Sequence, residues 1–132
     1  MERKKVLIID DEKNFTQVFK LNLEDLGEYE VWTENNSHRG LTVVREFKPD
    51  IIFLDVAMPG LEGPDILNQI KGEGLLKKTA VVFFTATVTP DEVHAQHGFI
   101  GGHPFLAKDC SVHEIVNCIK RSLNNLAPVN NF

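Results

Sequence analysis

Three uninterrupted apolar runs, Val6-Leu7-Ile8-Ile9, Ile51-Ile52-Phe53-Leu54 and Ala80-Val81-Val82-Phe83-Phe84, recur along the chain, and each stops at a polar side chain: Asp10-Asp11, Asp55 and Thr85. Short runs with no polar alternation predict strands buried on both faces. Tyr29-Glu30-Val31-Trp32-Thr33 adds a partly exposed strand, and Phe105-Leu106-Ala107 a brief fifth one closed by Lys108. Between them the period lengthens to three and four residues. Phe15, Val18, Phe19, Leu23 and Leu26 predict a first helix, with Gly27 placed as its C-cap, and Leu41, Val44 and Phe47 a second that stops before Pro49. Pro59-Gly60-Leu61-Glu62-Gly63-Pro64 reads as a turn, after which Ile66, Leu67 and Ile70 carry a third helix until Gly72 and Gly74. Residues 90–96 offer one apolar anchor, Val93, and predict a loosely attached fourth helix. Val112, Ile115, Val116, Ile119, Leu123 and Leu126 form the strongest amphipathic pattern, with Ser111 as N-cap.

Five strands alternating with five helices require right-handed crossovers, and so predict a parallel sheet covered on both faces: a three-layer α/β domain. In such a sheet ligands bind beyond the carboxyl ends of the strands. Asp10, Asp11, Asp55, Thr85 and Lys108 are the residues at those ends, so three carboxylates, a hydroxyl and an ammonium should converge. Two carboxylates about 4 Å apart repel by roughly 4 kcal/mol at an effective dielectric near 20, which a hard divalent cation relieves. Mg²⁺, commonly held by one or two carboxylates with several waters, suits an open cluster of this size, whereas Ca²⁺ asks for more protein oxygens. Asp11 and Glu12 also have the chemistry of helix caps.

Composition narrows the setting. At 132 residues and 42% hydrophobic, the chain fits one domain with its own core. No stretch reaches the length of a membrane span, and the start lacks a signal-peptide core, which predicts a cytoplasmic protein with no membrane partner. A net charge of −5, with Lys4-Lys5 and Lys77-Lys78 the paired lysines, argues against direct nucleic-acid binding. Cys110 and Cys118 lack metal-type spacing and read as reduced thiols. His94 and His97, three apart on a predicted helix, want a third ligand and read as solvent-facing; His38, His103 and His113 show no pairing pattern.

Four segments in order, residues 6–12 (ending Asp10-Asp11-Glu12), Asp55-Val56-Ala57-Met58-Pro59-Gly60-Leu61-Glu62-Gly63, Phe83-Phe84-Thr85-Ala86 and Phe105-Leu106-Ala107-Lys108, resemble the receiver domain of two-component response regulators over about residues 4–126. The resemblance implies a doubly wound, flavodoxin-like (βα)5 fold with strand order 2-1-3-4-5, a receiver domain over residues 1–127, and a tail at 128–132 that is either free or the start of a linker. It implies Asp55 as nucleophile and phosphorylation site, taking the phosphoryl group from a histidine kinase or histidine phosphotransfer protein. Asp10, Asp11, Asp55 and the backbone carbonyl of Ala57 would hold Mg²⁺. Lys108 and Thr85 would meet the phosphoryl oxygens, and Thr85 with Phe105 would form the switch. Phe105 is also expected as core, since both can hold in different states. The output would be a surface of the fourth helix, fifth strand and fifth helix that controls a downstream effector or output domain and is available for homodimerisation. Such a domain modifies itself and is not an enzyme acting on a free substrate.

Departures from the pattern carry their own expectations. Asp109-Cys110 follows Lys108 where the family usually has proline, so the 108–109 bond is either trans with a different loop or strained, and Asp109 could compete for the ammonium. Pro104 fits a strand at the sheet edge. Ala57 and Thr87, flanking the site, predict a phosphorylated state of ordinary lifetime. Three rivals stand beside this reading. An aspartate-nucleophile phosphatase should carry Asp-x-Asp after its first strand; a flavin mononucleotide carrier should have a Ser/Thr/Gly-rich loop there; a pseudo-receiver signalling without phosphate usually lacks a key residue.

Overall fold

The structure is a computed structural model that describes residues 2–75, 78–86, 99–100 and 103–126. Strands β1 (Lys4–Ile9), β2 (Tyr29–Glu34), β3 (Ile51–Asp55) and β4 (Ala80–Thr85) are followed by a two-residue β5 (Phe99–Ile100) and by β6 (His103–Ala107). Helices α1 (Lys13–Glu24), α2 (Gly40–Phe47), α3 (Gly63–Gly72) and α4 (Val112–Leu126) lie between and after them, with a 3-10 turn at Ser37–Arg39. The fully apolar runs explain the strands. Val6 to Ile9, Ile51 to Leu54 and Val82 to Phe84 have almost no exposed surface, because helices cover both faces of the sheet.

The five parallel strands run in the order β2-β1-β3-β4-β6, the predicted flavodoxin-like arrangement. On one face Val6, Ile8, Phe53 and Phe84 pack against Phe19 and Leu23 of α1 and Ile115, Cys118 and Ile119 of α4. On the other, Leu7, Ile9, Leu54 and Phe83 meet Val43, Val44 and Phe47 of α2 and Ile66 and Ile70 of α3. Ser111 caps α4 as predicted, its Oγ accepting the Glu114 N–H at 3.1 Å. Cys110 and Cys118 are free thiols, and burial pushes Cys110 up to about 12, so it holds its proton at neutral pH. Among the described residues no helix is long and apolar enough to cross a membrane.

Several expectations need correction. β6 is not the outermost strand, because β5 pairs antiparallel to it with Phe99 opposite Pro104. A two-residue strand has no periodicity to read, although the Gly101-Gly102 pair in the sequence is a hairpin signal. Pro104 costs the β4 ladder nothing, since that pairing starts one residue later at Phe105. The segment read as a turn up to Pro64 already belongs to α3 from Gly63: proline is tolerated in the first helical turn, and Glu62 and Asp65 form a reciprocal capping box. On α1, Val18 is 55% exposed, as the helix buries the narrower stripe of Phe19 and Leu23; Leu26, 48% exposed, lies beyond the helix, which ends at Glu24. Thr87, His94, His97 and the predicted helix at 90–96 lie outside the described residues.

Candidate functional site

Register brings the strand ends together. Ile9 is level with Leu54, so Asp10 and Asp55 follow side by side on β1 and β3; Asp55 is level with Phe84, and Thr85 with Ala107. Lys108 is tied to β4 by its N–H, which donates to the Thr85 carbonyl at 3.0 Å. One oxygen from each of Asp10, Asp11 and Asp55 lies within 4.8 Å of the others. Asp10 and Asp55 are buried, whereas Asp11 is exposed and leaves the cluster open to solvent on one side. Thr85 is buried at the adjoining strand end.

The Lys108 side chain, 10% exposed, reaches into this group. Its ammonium stands 2.7 Å from Asp10 Oδ2, 2.6 Å from Glu12 Oε1 and 3.3 Å from Asp55 Oδ2, with the Phe15 ring 5.0 Å away. Asp109 is exposed and makes no ion pair with it, which settles the expected competition in favour of Asp10, Glu12 and Asp55. The described backbone has no cis peptide bond; the 108–109 bond is trans, in a turn closed by the Cys110 N–H donating to the Ala107 carbonyl at 3.1 Å.

Four carboxylates thus gather at the site, three of them paired with its one ammonium, an excess of three negative charges when all are ionised. Burial raises the Asp55 carboxyl to about 6 and the neighbouring Asp10 adds to the rise, with Lys108 pulling the other way. For Lys108, burial acts to lower the ammonium, but Asp10 and Glu12, then Asp55, hold it well above its usual value. Asp10 uses Oδ1 to accept the Glu12 N–H at 2.9 Å, while its Oδ2 is fully buried with the Lys108 ammonium 2.7 Å away. A buried carboxylate beside two further acids, with one oxygen of each within 4.8 Å of the others, fits a hard cation.

The β3–α3 loop leaves Asp55 with the Ala57 N–H 3.4 Å from Asp55 Oδ1 and returns so closely that a Cβ on Gly63 would lie 2.5 Å from the Asp55 backbone oxygen. Phe105 is 2% exposed and packs with Leu54, Met58 and Phe83; in this state it is core. The sequence left Glu12 as a possible cap; its side chain makes no cap bond and pairs instead with Lys108, 96 residues later. Only the acidic character of Asp10-Asp11-Glu12 hints at that. Asn35 was also missed: its amide donates to the Asp10 carbonyl at 2.8 Å and to Thr16 Oγ1 at 3.0 Å, tying β2 to the start of α1.

Residues 6–120 match the family described as the response regulator receiver domain. Among solved structures, a response regulator receiver domain protein from Clostridium thermocellum is 30% identical with a TM-score of 0.75, covering 92% of this chain and 95% of its own. The chemotaxis protein CheY4 of Vibrio cholerae is 25% identical with a TM-score of 0.76, covering 92% and 99%. The BeF3-activated N-terminal receiver domain of Klebsiella pneumoniae RstA, at 17% identity, shares the fold with a TM-score of 0.74 over 91% and 98%.

Proposed function

Because this chain belongs to the response regulator receiver domains, which are signalling switches of two-component systems, we propose that Asp55 is its phosphoacceptor and that residues 1–127 form the switch. The observation that carries the reading is the meeting of Asp10, Asp11 and Asp55 within 4.8 Å, with the Lys108 ammonium 3.3 Å from Asp55. In the proposed step an Asp55 oxygen attacks the phosphorus of a phosphohistidine on a histidine kinase or phosphotransfer protein. The P–N bond breaks, its electron pair leaves with the imidazole, and an acyl phosphate forms on Asp55.

Asp10, Asp11, Asp55 and the Ala57 carbonyl would hold Mg²⁺, which when bound supplies positive charge against the equatorial oxygens. The protein's own contribution is positional. The sheet register sets the nucleophile, the Lys108 ammonium is brought to it by the turn after β6, and Thr85 offers a hydroxyl from the neighbouring strand. With Thr85 drawn toward the new phosphoryl oxygens, Phe105 and the surface around residues 90–96, β6 and α4 would change together. That surface would address a downstream effector, an output domain or a second copy of the chain. Ala57 and Thr87 would tune the lifetime of the phosphorylated state, and the setting would be the cytoplasm, where response regulators typically act.

A phosphate-independent module would have no need of an ammonium beside Asp55, whereas the Lys108 ammonium stands 3.3 Å from Asp55 Oδ2, which supports the phosphoacceptor reading. The test is incubation with phosphoramidate, a small P–N donor, in the presence of Mg²⁺, followed by peptide mapping after reductive trapping of the acyl phosphate. Label confined to Asp55 supports the proposal, and label elsewhere or none contradicts it.

A further inference from the structure

The loop of residues 56–62 carries the Ala57 carbonyl, and one hydroxyl from another part of the chain holds its tip. Ser37, in the 3-10 turn before α2, is 4% exposed. Its Oγ donates to the Pro59 carbonyl at 3.0 Å and accepts the Leu61 N–H at 3.1 Å. Pro59 and Leu61 flank Gly60, whose φ of +87° side chains rarely adopt. The His38 ring covers the same glycine: a Cβ there would stand 2.6 Å from His38 Nε2 and 3.3 Å from Ser37 Oγ. At the far end the Gly63 N–H donates to the Val56 carbonyl at 3.1 Å. The loop is therefore tied at its tip and at its return, with Ala57 between.

A carboxylate ligand can correct its aim by rotating about its side-chain bonds. A backbone carbonyl has no such freedom, and its direction follows from the φ and ψ of its own loop. Mg²⁺ demands near-ideal octahedral geometry, while Ca²⁺ accepts variable geometry and longer bonds. We propose that Ser37 is a positioning residue for the metal site: by bridging Pro59 and Leu61 it fixes the path of the loop that aims the Ala57 carbonyl, and so favours Mg²⁺ over Ca²⁺. This rests on the reading of Asp10, Asp11, Asp55 and Ala57 as the metal ligands. Neighbours that orient ligands typically account for about 10- to 100-fold in metal affinity, and Ser37 acts one step further out, through the loop, so about three- to tenfold is expected.

The test is calorimetric titration of the full chain with MgCl2 and, separately, CaCl2, for the parent, Ser37→Ala and Ser37→Thr, with exchange of the Leu61 amide followed by NMR. Ser37→Ala is expected to raise the Mg²⁺ Kd about three- to tenfold while moving the Ca²⁺ Kd by less than about twofold, and to speed Leu61 exchange. Ser37→Thr, which keeps the hydroxyl, should recover most of the Mg²⁺ affinity. Equal weakening for both ions would reveal general loosening and overturn the proposal, as would an unchanged Mg²⁺ Kd. Should Ser37→Ala not fold, the parent decides: a Leu61 amide exchanging like a free loop amide rules the bridge out. A parent that binds neither ion removes the metal reading itself, and the Ser37 role with it.

Discussion

Glu12 and Lys108, 96 residues apart, make the shortest of the three contacts around the Lys108 ammonium, 2.6 Å against 2.7 Å to Asp10 and 3.3 Å to Asp55. Glu12 therefore draws the cation toward the rim of the pocket and away from the oxygens that a metal would use. In Glu12→Gln that pull weakens, Lys108 settles further onto Asp10 and Asp55, and one negative charge is lost nearby. Both changes oppose a divalent cation. The Mg²⁺ Kd should rise about two- to threefold at low salt and by less at high salt, because the Glu12 side chain is 59% exposed and screened. Titrations at two ionic strengths check this; an unchanged or tighter Kd contradicts it. Stability should move by under about 1 kcal/mol.

Asp55 makes the metal-free protein sensitive to pH. Its carboxyl titrates at about 6, above the value of about 3.9 expected in the unfolded chain, so the folded state binds more protons between those limits. As pH rises through this window the ionised group withdraws stability, roughly 2 kcal/mol once its partial burial is allowed for. Asp55→Asn lacks that charge. In EDTA it should be more stable than the parent by about 1 to 2 kcal/mol at pH 7.5, with the gap closing by pH 4. Urea unfolding at a series of pH values measures the difference, and parallel curves for the two proteins would refute it. Added Mg²⁺ should stabilise the parent and leave Asp55→Asn little changed.

Gly63 tests how tightly α3 closes on the strand that carries Asp55. A Cβ there would meet the Asp55 backbone oxygen at 2.5 Å, and that oxygen belongs to a buried strand that cannot yield easily. Gly63→Ala should lose about 1 to 3 kcal/mol, typical of overpacking, and weaken Mg²⁺ binding as Asp55 shifts. Gly72→Ala, at the other end of the same helix and with nothing within 4 Å, is the control and should be close to neutral or mildly stabilising.

The parts of the molecule that could be read in advance are those where one residue's chemistry is decided locally. Val6 to Ile9 and Ile51 to Leu54 had to be doubly buried strands because nothing polar interrupts them, and their terminal aspartates then had to meet once the sheet was parallel. Features that depend on long-range partners were not readable. Nothing around Glu12 announces Lys108, and nothing around Ser37 announces Pro59 and Leu61, because each bond joins residues that only the finished fold makes neighbours. Val18 and Leu26 fit the helical period but stay exposed, Val18 outside the buried stripe of Phe19 and Leu23 and Leu26 past the end of α1 at Glu24. The trans turn after Lys108 was one of two open alternatives, since the absence of proline limits the backbone without choosing its path.

The most direct measurement is the intact mass of the purified chain after incubation with acetyl phosphate, with Mg²⁺ and with EDTA, beside Asp55→Asn treated alike. Gain of one phosphate that needs Mg²⁺ and is absent from Asp55→Asn is the expected result. A phosphate gained without the metal, or gained equally by Asp55→Asn, or no gain in the parent under any condition, would contradict the assignment of Asp55 as the acceptor.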